Sequence, residues 1–257
     1  MLLAVNVGNT NTVLGVFDGP ELRWRWRMST QAERTPDELA VVIGGLLEQA
    51  ELSFSSRVTG VVISSVVPSS TTAFREMVET YFGFPPIVVE PGVRTGVPIL
   101  TDNPREVGSD RIVNALAAFE RHGGPCIVVD FGTATTYDVV SAKGEFLGGV
   151  IAPGVQTSNA ALARSTARLP QVELAAPPTT LGKNTIEAIQ SALVYGTAGQ
   201  VDGIVARLRD ELGAHATTVA TGGLAPLVMP HCATLDRHDP WLTLEGLRLI
   251  FERNADA

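Results

Sequence analysis

Two stretches of the 257-residue chain place a glycine and several small polar residues directly after an apolar run. The first comprises residues 8–12 (Gly-Asn-Thr-Asn-Thr), and the second comprises residues 132–136 (Gly-Thr-Ala-Thr-Thr). Apolar residues resume after each stretch, which predicts a β-hairpin with a tight glycine turn. The backbone N–H groups and hydroxyls at such a turn can bind the oxygens of a phosphate chain. For either stretch alone, a hairpin that binds no ligand is an equally open interpretation.

The two stretches also repeat each other. Three pairs of residues coincide when the stretches are aligned: Val5 with Val129, Gly8 with Gly132, and Thr12 with Thr136. In this alignment Asn6 takes the position of Asp130. A hairpin repeated near the start of each half of the chain predicts a duplicated nucleotide-binding architecture. Two phosphate-binding turns would then lie on opposite sides of a cleft.

A third stretch, residues 108–111 (Gly-Ser-Asp-Arg), carries an acid and a base at the predicted start of a helix. An acid and a base at this position could take part in binding or catalysis. The structural alternative is that Asp110 complements the helix dipole while Arg111 is solvated. The Pro- and Gly-rich residues 91–104 precede this stretch, and long irregular segments of this kind are often functional.

The elements that must hold these stretches in place indicate an α/β fold. Residues 21–28 alternate between apolar side chains and arginines, which predicts a strand, and residues 35–38 (Thr-Pro-Asp-Glu) predict the start of a helix that ends near Gln49. Further strands are predicted at residues 59–64, 87–90, 146–154, 217–221 and 232–235. Further helices are predicted at residues 69–82, from the stretch at 108–111 to about residue 121, and at residues 156–164, 185–212 and 242–254. This alternation predicts mixed sheets with helices packed against them.

Composition narrows the class of protein. The net charge of −8 argues against nucleic acid as the main partner. The two cysteines form no CxxC pair and the four histidines have no metal-binding spacing, so we expect buried, reduced thiols. No apolar stretch is long enough to cross a bilayer, and the N-terminus lacks a signal-peptide pattern. We therefore expect a cytoplasmic protein without a membrane partner.

Six short strings, in this order along the chain, resemble those of the type III pantothenate kinases, within the acetate kinase, sugar kinase, Hsp70 and actin superfamily. They lie at residues 7–11, 90–96, 108–114, 130–134, 148–154 and 221–223. The resemblance covers residues 2–254 and is greatest to the actinobacterial branch. It implies an α/β fold of two related ribonuclease H-like halves, residues 1–122 and 123–257. Each half would have a mixed sheet flanked by helices, with a nucleotide cleft between the halves.

The resemblance also implies a role for each matching residue. The ATP phosphates would be lined by Asn6, Val7, Gly8, Asn9, Thr10, Asn11, Thr12 and Val13, with Thr133 on the second hairpin. Pantothenate would be bound by Gly108, Ser109, Asp110, Arg111 and Thr185, with Asp110 as the general base. Asp130 would bind a monovalent cation, potassium or ammonium, and ATP oxygens and water would hold most of the Mg²⁺ coordination sphere. The implied activity is phosphorylation of pantothenate by ATP, the first step of coenzyme A biosynthesis, in a homodimer.

Position 6 departs from the family pattern, which has Asp where this chain has Asn6. Asn keeps an acceptor oxygen, but it loses the charge with which a carboxylate would orient magnesium-bound water. Three explanations stay open: a natural change with activity retained, an engineered change that slows turnover, and a homologue that has lost activity and regulates as a nucleotide-binding protein. A kinase or phosphatase of the same superfamily with a different small substrate is a further alternative.

Overall fold

The computed structural model describes residues 1–55 and 57–255. The strands within them are β1 (Leu2–Val7), β2 (Asn11–Asp18), β3 (Glu21–Ser29), β4 (Gly60–Ser65), β5 (Ile87–Val88), β6 (Cys126–Phe131), β7 (Ala134–Val140), β8 (Phe146–Pro153), β9 (Thr217–Thr221) and β10 (Arg237–His238). The α-helices are α1 (Pro36–Gln49), α2 (Pro68–Tyr81), α3 (Ser109–His122), α4 (Val155–Ser165), α5 (Thr185–Ser191), α6 (Thr197–Leu212), α7 (Ala225–Val228) and α8 (Leu242–Asn254). Among these described helices, none has both the length and the apolar character that crossing a membrane requires.

The first of two compact units is built on a five-stranded sheet with the order β3-β2-β1-β4-β5. Strand β1 pairs antiparallel with β2 and parallel with β4. Helices α1 and α2 pack on one face of this sheet in a continuous apolar core. On the other face, Leu244 and Phe251 of α8 approach Gly15 and Gly60 so closely that a Cβ there would overlap them. Because β1 is covered on both faces, its sequence is an almost uninterrupted apolar run.

The second unit repeats this arrangement. Its sheet has the order β10-β9-β6-β7-β8, which matches the first sheet strand for strand when read from β8. Strand β6 pairs antiparallel with β7 and parallel with β9, as β1 does with β2 and β4. Helices α4, α5 and α6 pack against this sheet in a second apolar core. The predicted α/β fold, with two related mixed sheets flanked by helices, is therefore confirmed.

The compact units differ from the expected division into residues 1–122 and 123–257. The first unit contains residues 1–97 and 102–117 together with the segment that begins at Leu242, and the second contains residues 98–101 and 118–241. Helix α8 thus belongs to the unit that the N-terminal part of the chain forms. The reason is its apolar face, because Leu244, Leu247 and Ile250 are buried and the helix contacts β1 and β4.

Two local predictions need correction. The strand predicted at residues 232–235 is wrong, because β10 lies further along, at Arg237–His238. The backbone N–H groups of Ala233 and Thr234 each donate to the Asp202 carboxylate at 2.9 Å, so a side chain takes the place of a neighbouring strand. The helix predicted at residues 185–212 is divided into α5 and α6 by a turn of π-helix at Ala192–Gly196.

Candidate functional site

The first hairpin has a three-residue loop, Gly8-Asn9-Thr10, between β1 and β2. The N–H of Gly8 donates to the carbonyl of Asn11 at 3.0 Å and closes the turn. A Cβ on Gly8 would lie 3.1 Å from the same carbonyl, which is tighter than most real contacts. Asn9, Thr10 and Asn11 are exposed. The loop therefore presents backbone amides and small polar side chains to solution, as a phosphate-binding turn requires.

Thr12 lies behind this loop rather than on it. Its side chain is only 1 % exposed, and its hydroxyl lies 2.9 Å from the hydroxyl of Thr30. Strand pairing also corrects the alignment of the two hairpins: Thr12 pairs with Val7 as Thr135, not Thr136, pairs with Phe131. The first loop is one residue longer than the second, and a match by sequence spacing alone shifts the returning strands by one position.

Asn6 is the second-last residue of β1, where it is adjacent to Val13 on β2 and Ser64 on β4. Asp130 occupies the same place on β6, adjacent to Thr136 and Thr221. The registers therefore confirm that position 6 is the counterpart of Asp130. The side-chain oxygen Oδ1 of Asn6 is buried and accepts no hydrogen bond from the described residues. A buried acceptor without a donor is costly, so this atom fits a donor supplied by a ligand, such as metal-bound water.

Asp110 is held close to the end of β4 by the residue before it. The Ser109 hydroxyl donates to the carbonyl of Ser65 at 3.2 Å and lies 2.8 Å from the hydroxyl of Ser64. Ser64 in turn is the neighbour of Asn6 in the β1–β4 register. The first unit therefore places the start of α3, with Asp110 and Arg111, at the same end of the sheet as Asn6.

The carboxylate of Asp110 is partly buried and has few donors. Its Oδ1 accepts from the N–H of Arg111 at 2.8 Å. Burial raises the pKa of Asp110 above its ordinary value, against the opposing effects of that N–H and of the Arg111 charge. A Cβ on Gly108 would lie 2.7 Å from Asp110 Oδ1, so glycine there leaves room for the carboxylate. A carboxylate with a raised pKa is a stronger base, which suits proton abstraction from an alcohol.

The second hairpin has the two-residue loop Gly132-Thr133, in which the Gly132 N–H donates to the carbonyl of Ala134 at 3.0 Å. Both loop residues are exposed. The start of α4 supports the loop from behind, because the N–H of Gly154 and the hydroxyl of Thr157 donate to the Thr133 carbonyl at 3.1 and 2.6 Å. The second unit therefore also presents a supported turn whose residues are exposed.

Asp130 is the second-last residue of β6 and is adjacent to Thr221, the last residue of β9. Gly222 follows β9 with a φ of +90°, and a Cβ there would lie 2.4 Å from Asp130 Oδ1. Only glycine combines this backbone conformation with so close an approach. Carboxylate oxygens are among the ligands that hard cations prefer, so Asp130 fits the cation role that the resemblance implies. Among the described residues, no group of three or more His, Cys, Asp or Glu side chains could hold a metal ion.

Thr185 is the first residue of α5, in the second unit, and it is exposed. Asn184 caps this helix by accepting the N–H of Glu187 at 2.9 Å. The structure thus assigns Asn6 to Val13 and Gly108 to Arg111 to the first unit, and Asp130, Thr133 and Thr185 to the second. Each unit by itself brings its own candidate residues to a loop or helix start.

Comparison with known proteins gives the family. A family model described as Type III pantothenate kinase matches residues 2–207. A protein of Acidothermus cellulolyticus named type III pantothenate kinase is 58% identical over 256 residues, which cover 99% of each chain. One of Streptomyces griseus with the same name is 56% identical over 262 residues, again with 99% of each chain covered.

The chain belongs to the type III pantothenate kinase family. The resemblance drawn from the six sequence strings is thereby confirmed. Among solved structures, the inorganic polyphosphate/ATP-glucomannokinase of Arthrobacter sp. strain KM is similar with a TM-score of 0.51. That similarity is to the fold alone, since the two chains are 13% identical, with 100% of this chain and 99% of that one covered.

Sequence analysis did not identify several residues that hold the two hairpins and the start of α3 in place. Thr30 contacts the first hairpin, Ser64 connects β4 to the start of α3, and Gly154 supports the second hairpin. Gly154 ends one of the six strings and so carried a signal. Thr30 and Ser64 carried none, because their partners are distant in sequence.

Proposed function

We propose that this protein transfers the γ-phosphoryl group of ATP to the primary hydroxyl of pantothenate, which forms 4'-phosphopantothenate and ADP. This is the first step of coenzyme A biosynthesis. The observation that carries the proposal is the carboxylate of Asp110: burial raises its pKa, and Ser109 fixes the start of its helix beside the strand ends next to the phosphate hairpin. Membership of the family supplies the substrate.

The roles proposed for individual residues are those that the family resemblance implies. The hydroxyl oxygen of pantothenate attacks the γ-phosphorus, the bond from that phosphorus to the β,γ-bridging oxygen breaks, and Asp110 accepts the hydroxyl proton. The loops Gly8-Asn9-Thr10 and Gly132-Thr133 bind phosphate oxygens through donors of their exposed residues, and Thr133 contacts ATP. Gly108, Ser109, Arg111 and Thr185 bind pantothenate. The hydroxyl of Thr12 acts from behind the loop, since it is buried.

Magnesium would neutralise charge on the ATP phosphates and polarise them. Asn6 fits a supporting role, because its buried Oδ1 lacks a donor that a metal-bound water can provide. Replacing Asn6 by Asp is expected to raise the phosphorylation rate at limiting magnesium, since a carboxylate orients such water more strongly. The rate would be measured across a magnesium titration. Equal rates of Asn6→Asp and the unchanged protein at every magnesium concentration would contradict a role for position 6 at the metal.

A monovalent cation, potassium or ammonium, would lie at Asp130 and compensate phosphate charge in place of a lysine. The close approach of Gly222 to the Asp130 carboxylate supports this site. We expect replacement of potassium by sodium, at constant ionic strength, to weaken ATP binding, because a smaller cation fits the same oxygens less well. Titration calorimetry with ATP in each salt measures this. The variant Asp130→Asn should lose the difference between the two ions, and indifference of the unchanged protein would leave Asp130 a structural carboxylate.

We also propose a homodimer. The second unit exposes large apolar side chains on the edge strand β8, on the segment beside it and around the start of α5: Leu100, Leu147, Ile151, Leu181 and Ile186. A second copy of the chain would cover them. Thr185 is next to one of these residues, so a dimer contact there would lie beside a proposed pantothenate ligand. The cytoplasmic location stays a prediction.

A coupled assay of ADP release, with and without pantothenate, tests the proposed function. Release that depends on pantothenate supports it. Release only with another alcohol would instead indicate a kinase with a different substrate. ATP binding without any turnover would favour the weakened or regulatory homologue that Asn6 left open.

A further inference from the structure

Thr30, directly after β3, makes three hydrogen bonds to the first phosphate hairpin. Its backbone N–H donates to the carbonyl of Thr10 at 2.9 Å. Its hydroxyl donates to the carbonyl of Gly8 at 2.7 Å and lies 2.9 Å from the hydroxyl of Thr12. The residue that follows β3 thus contacts the first and last residues of the Gly8-Asn9-Thr10 loop and the strand after it.

The direction of these hydrogen bonds follows from counting protons. A carbonyl oxygen only accepts, so the single hydroxyl proton of Thr30 is used at Gly8. The hydroxyl of Thr12 must then be the donor to Thr30, and its own proton is used as well. The chain of hydrogen bonds therefore runs from Thr12 through Thr30 to the Gly8 carbonyl. Because Thr12 is 1 % exposed, water cannot easily replace a missing partner.

These bonds also fix the orientation of the loop amides. In a trans peptide the N–H of the next residue points opposite to the carbonyl. Holding the Gly8 carbonyl against Thr30 therefore directs the N–H of Asn9 away from β3, and Asn9 is exposed. The same reasoning applies to the Thr10 carbonyl and the N–H of Asn11.

We infer that Thr30 is a positioning residue that pre-orients the amides of the first hairpin for the phosphates of ATP. The inference rests on the proposed function of that hairpin. Loss of the Thr30 hydroxyl leaves the Gly8 carbonyl and the Thr12 hydroxyl without partners, and the Gly8–Asn9 peptide can then rotate. ATP binding would weaken, because part of the binding free energy would be spent on ordering the loop.

The test compares three variants by titration calorimetry with ATP and by thermal melting. Thr30→Val removes the hydroxyl but keeps the branched shape, and Thr30→Ser keeps the hydroxyl. Thr71→Val is the matched control in the same unit, since the single hydroxyl proton of Thr71 is donated to the carbonyl of Val67 at 3.1 Å, within its own helix, and not to the hairpin. We expect the Kd for ATP to rise about tenfold in Thr30→Val and to stay within about twofold in the other two. The KM for pantothenate at saturating ATP should not change.

Two results would overturn the inference. One is an equal Kd for ATP in Thr30→Val and Thr71→Val, and the other is a loss in Thr30→Ser as large as in Thr30→Val. The pantothenate-dependent release of ADP by the unchanged protein is measured in parallel. If ATP binds but pantothenate is not phosphorylated, the proposed function fails while the Kd values still decide the role of Thr30. If the unchanged protein binds no ATP, both fail.

Discussion

Asp110→Asn is expected to lower kcat by about 10²- to 10⁴-fold, the usual contribution of a general base, while the Kd for ATP stays nearly the same. Asn has the size of Asp but cannot accept the proton of the pantothenate hydroxyl. Steady-state kinetics gives the first quantity and titration calorimetry gives the second. A comparable loss of ATP binding and turnover would mean that Asp110 holds the start of α3 in place and is not the base.

The raised pKa of Asp110 leads to two further expectations, one for the pH dependence of catalysis and one for stability. An ordinary Asp has a pKa of about 3.9, and burial raises the pKa of Asp110 above it. In the unchanged protein, kcat/KM for pantothenate should therefore begin to fall with decreasing pH at a higher pH than an ordinary Asp would give. A native pKa above the unfolded one also means that ionisation lowers stability as the pH rises from the unfolded pKa through the native pKa. At pH 7.5 the variant Asp110→Asn should therefore melt at the same temperature as the unchanged protein or higher.

Gly154→Ala is expected to raise the KM for ATP by at least about tenfold, with a lower melting temperature. The reason is steric, because the backbone of Gly154, at φ −70° and ψ 161°, is one that any residue adopts. An added Cβ would lie 2.4 Å from the carbonyl oxygen of Gly132 and 2.5 Å from that of Thr133. Both atoms belong to the backbone of the second hairpin, so the loop itself must move.

Gly199→Ala is the matched control for this variant. Gly199 lies within α6 of the same unit, and a Cβ there would meet nothing within 4 Å. Alanine is the better helix former, so this change should leave the KM for ATP alone and keep or raise the melting temperature. An unchanged KM for ATP in Gly154→Ala would mean that the second hairpin does not take part in nucleotide binding.

Some features of the molecule could be predicted because their causes are local in sequence. Thr35 begins α1 with a capping box, in which the Glu38 N–H donates to Thr35 Oγ1 at 3.3 Å and the Thr35 N–H donates to the Glu38 carboxylate at 2.8 Å. Both partners are three residues apart, so the sequence contains the whole interaction. The terminal helix at residues 242–254 was predicted with its observed bounds for the same reason, since its apolar period is local.

The sequence does not predict the unit to which α8 belongs. Its apolar face predicts that it packs against something, but not which sheet. The small residues at Gly15 and Gly60 leave room for Leu244 and Phe251, and this complementarity exists only once the strands are paired. The division of the chain expected at residue 122 could not take this complementarity into account.

The sequence by itself determined the two glycine hairpins, the duplicated α/β fold, the candidate base Asp110 and the family. Each rests on a short string or on a period that neighbouring residues define. Only the tertiary structure decided that Thr12 is buried, that its counterpart is Thr135, and that Thr30 holds the loop. The physical reason is strand register: a hydroxyl 18 or 22 residues away in sequence becomes a partner only when β2 and β3 are paired.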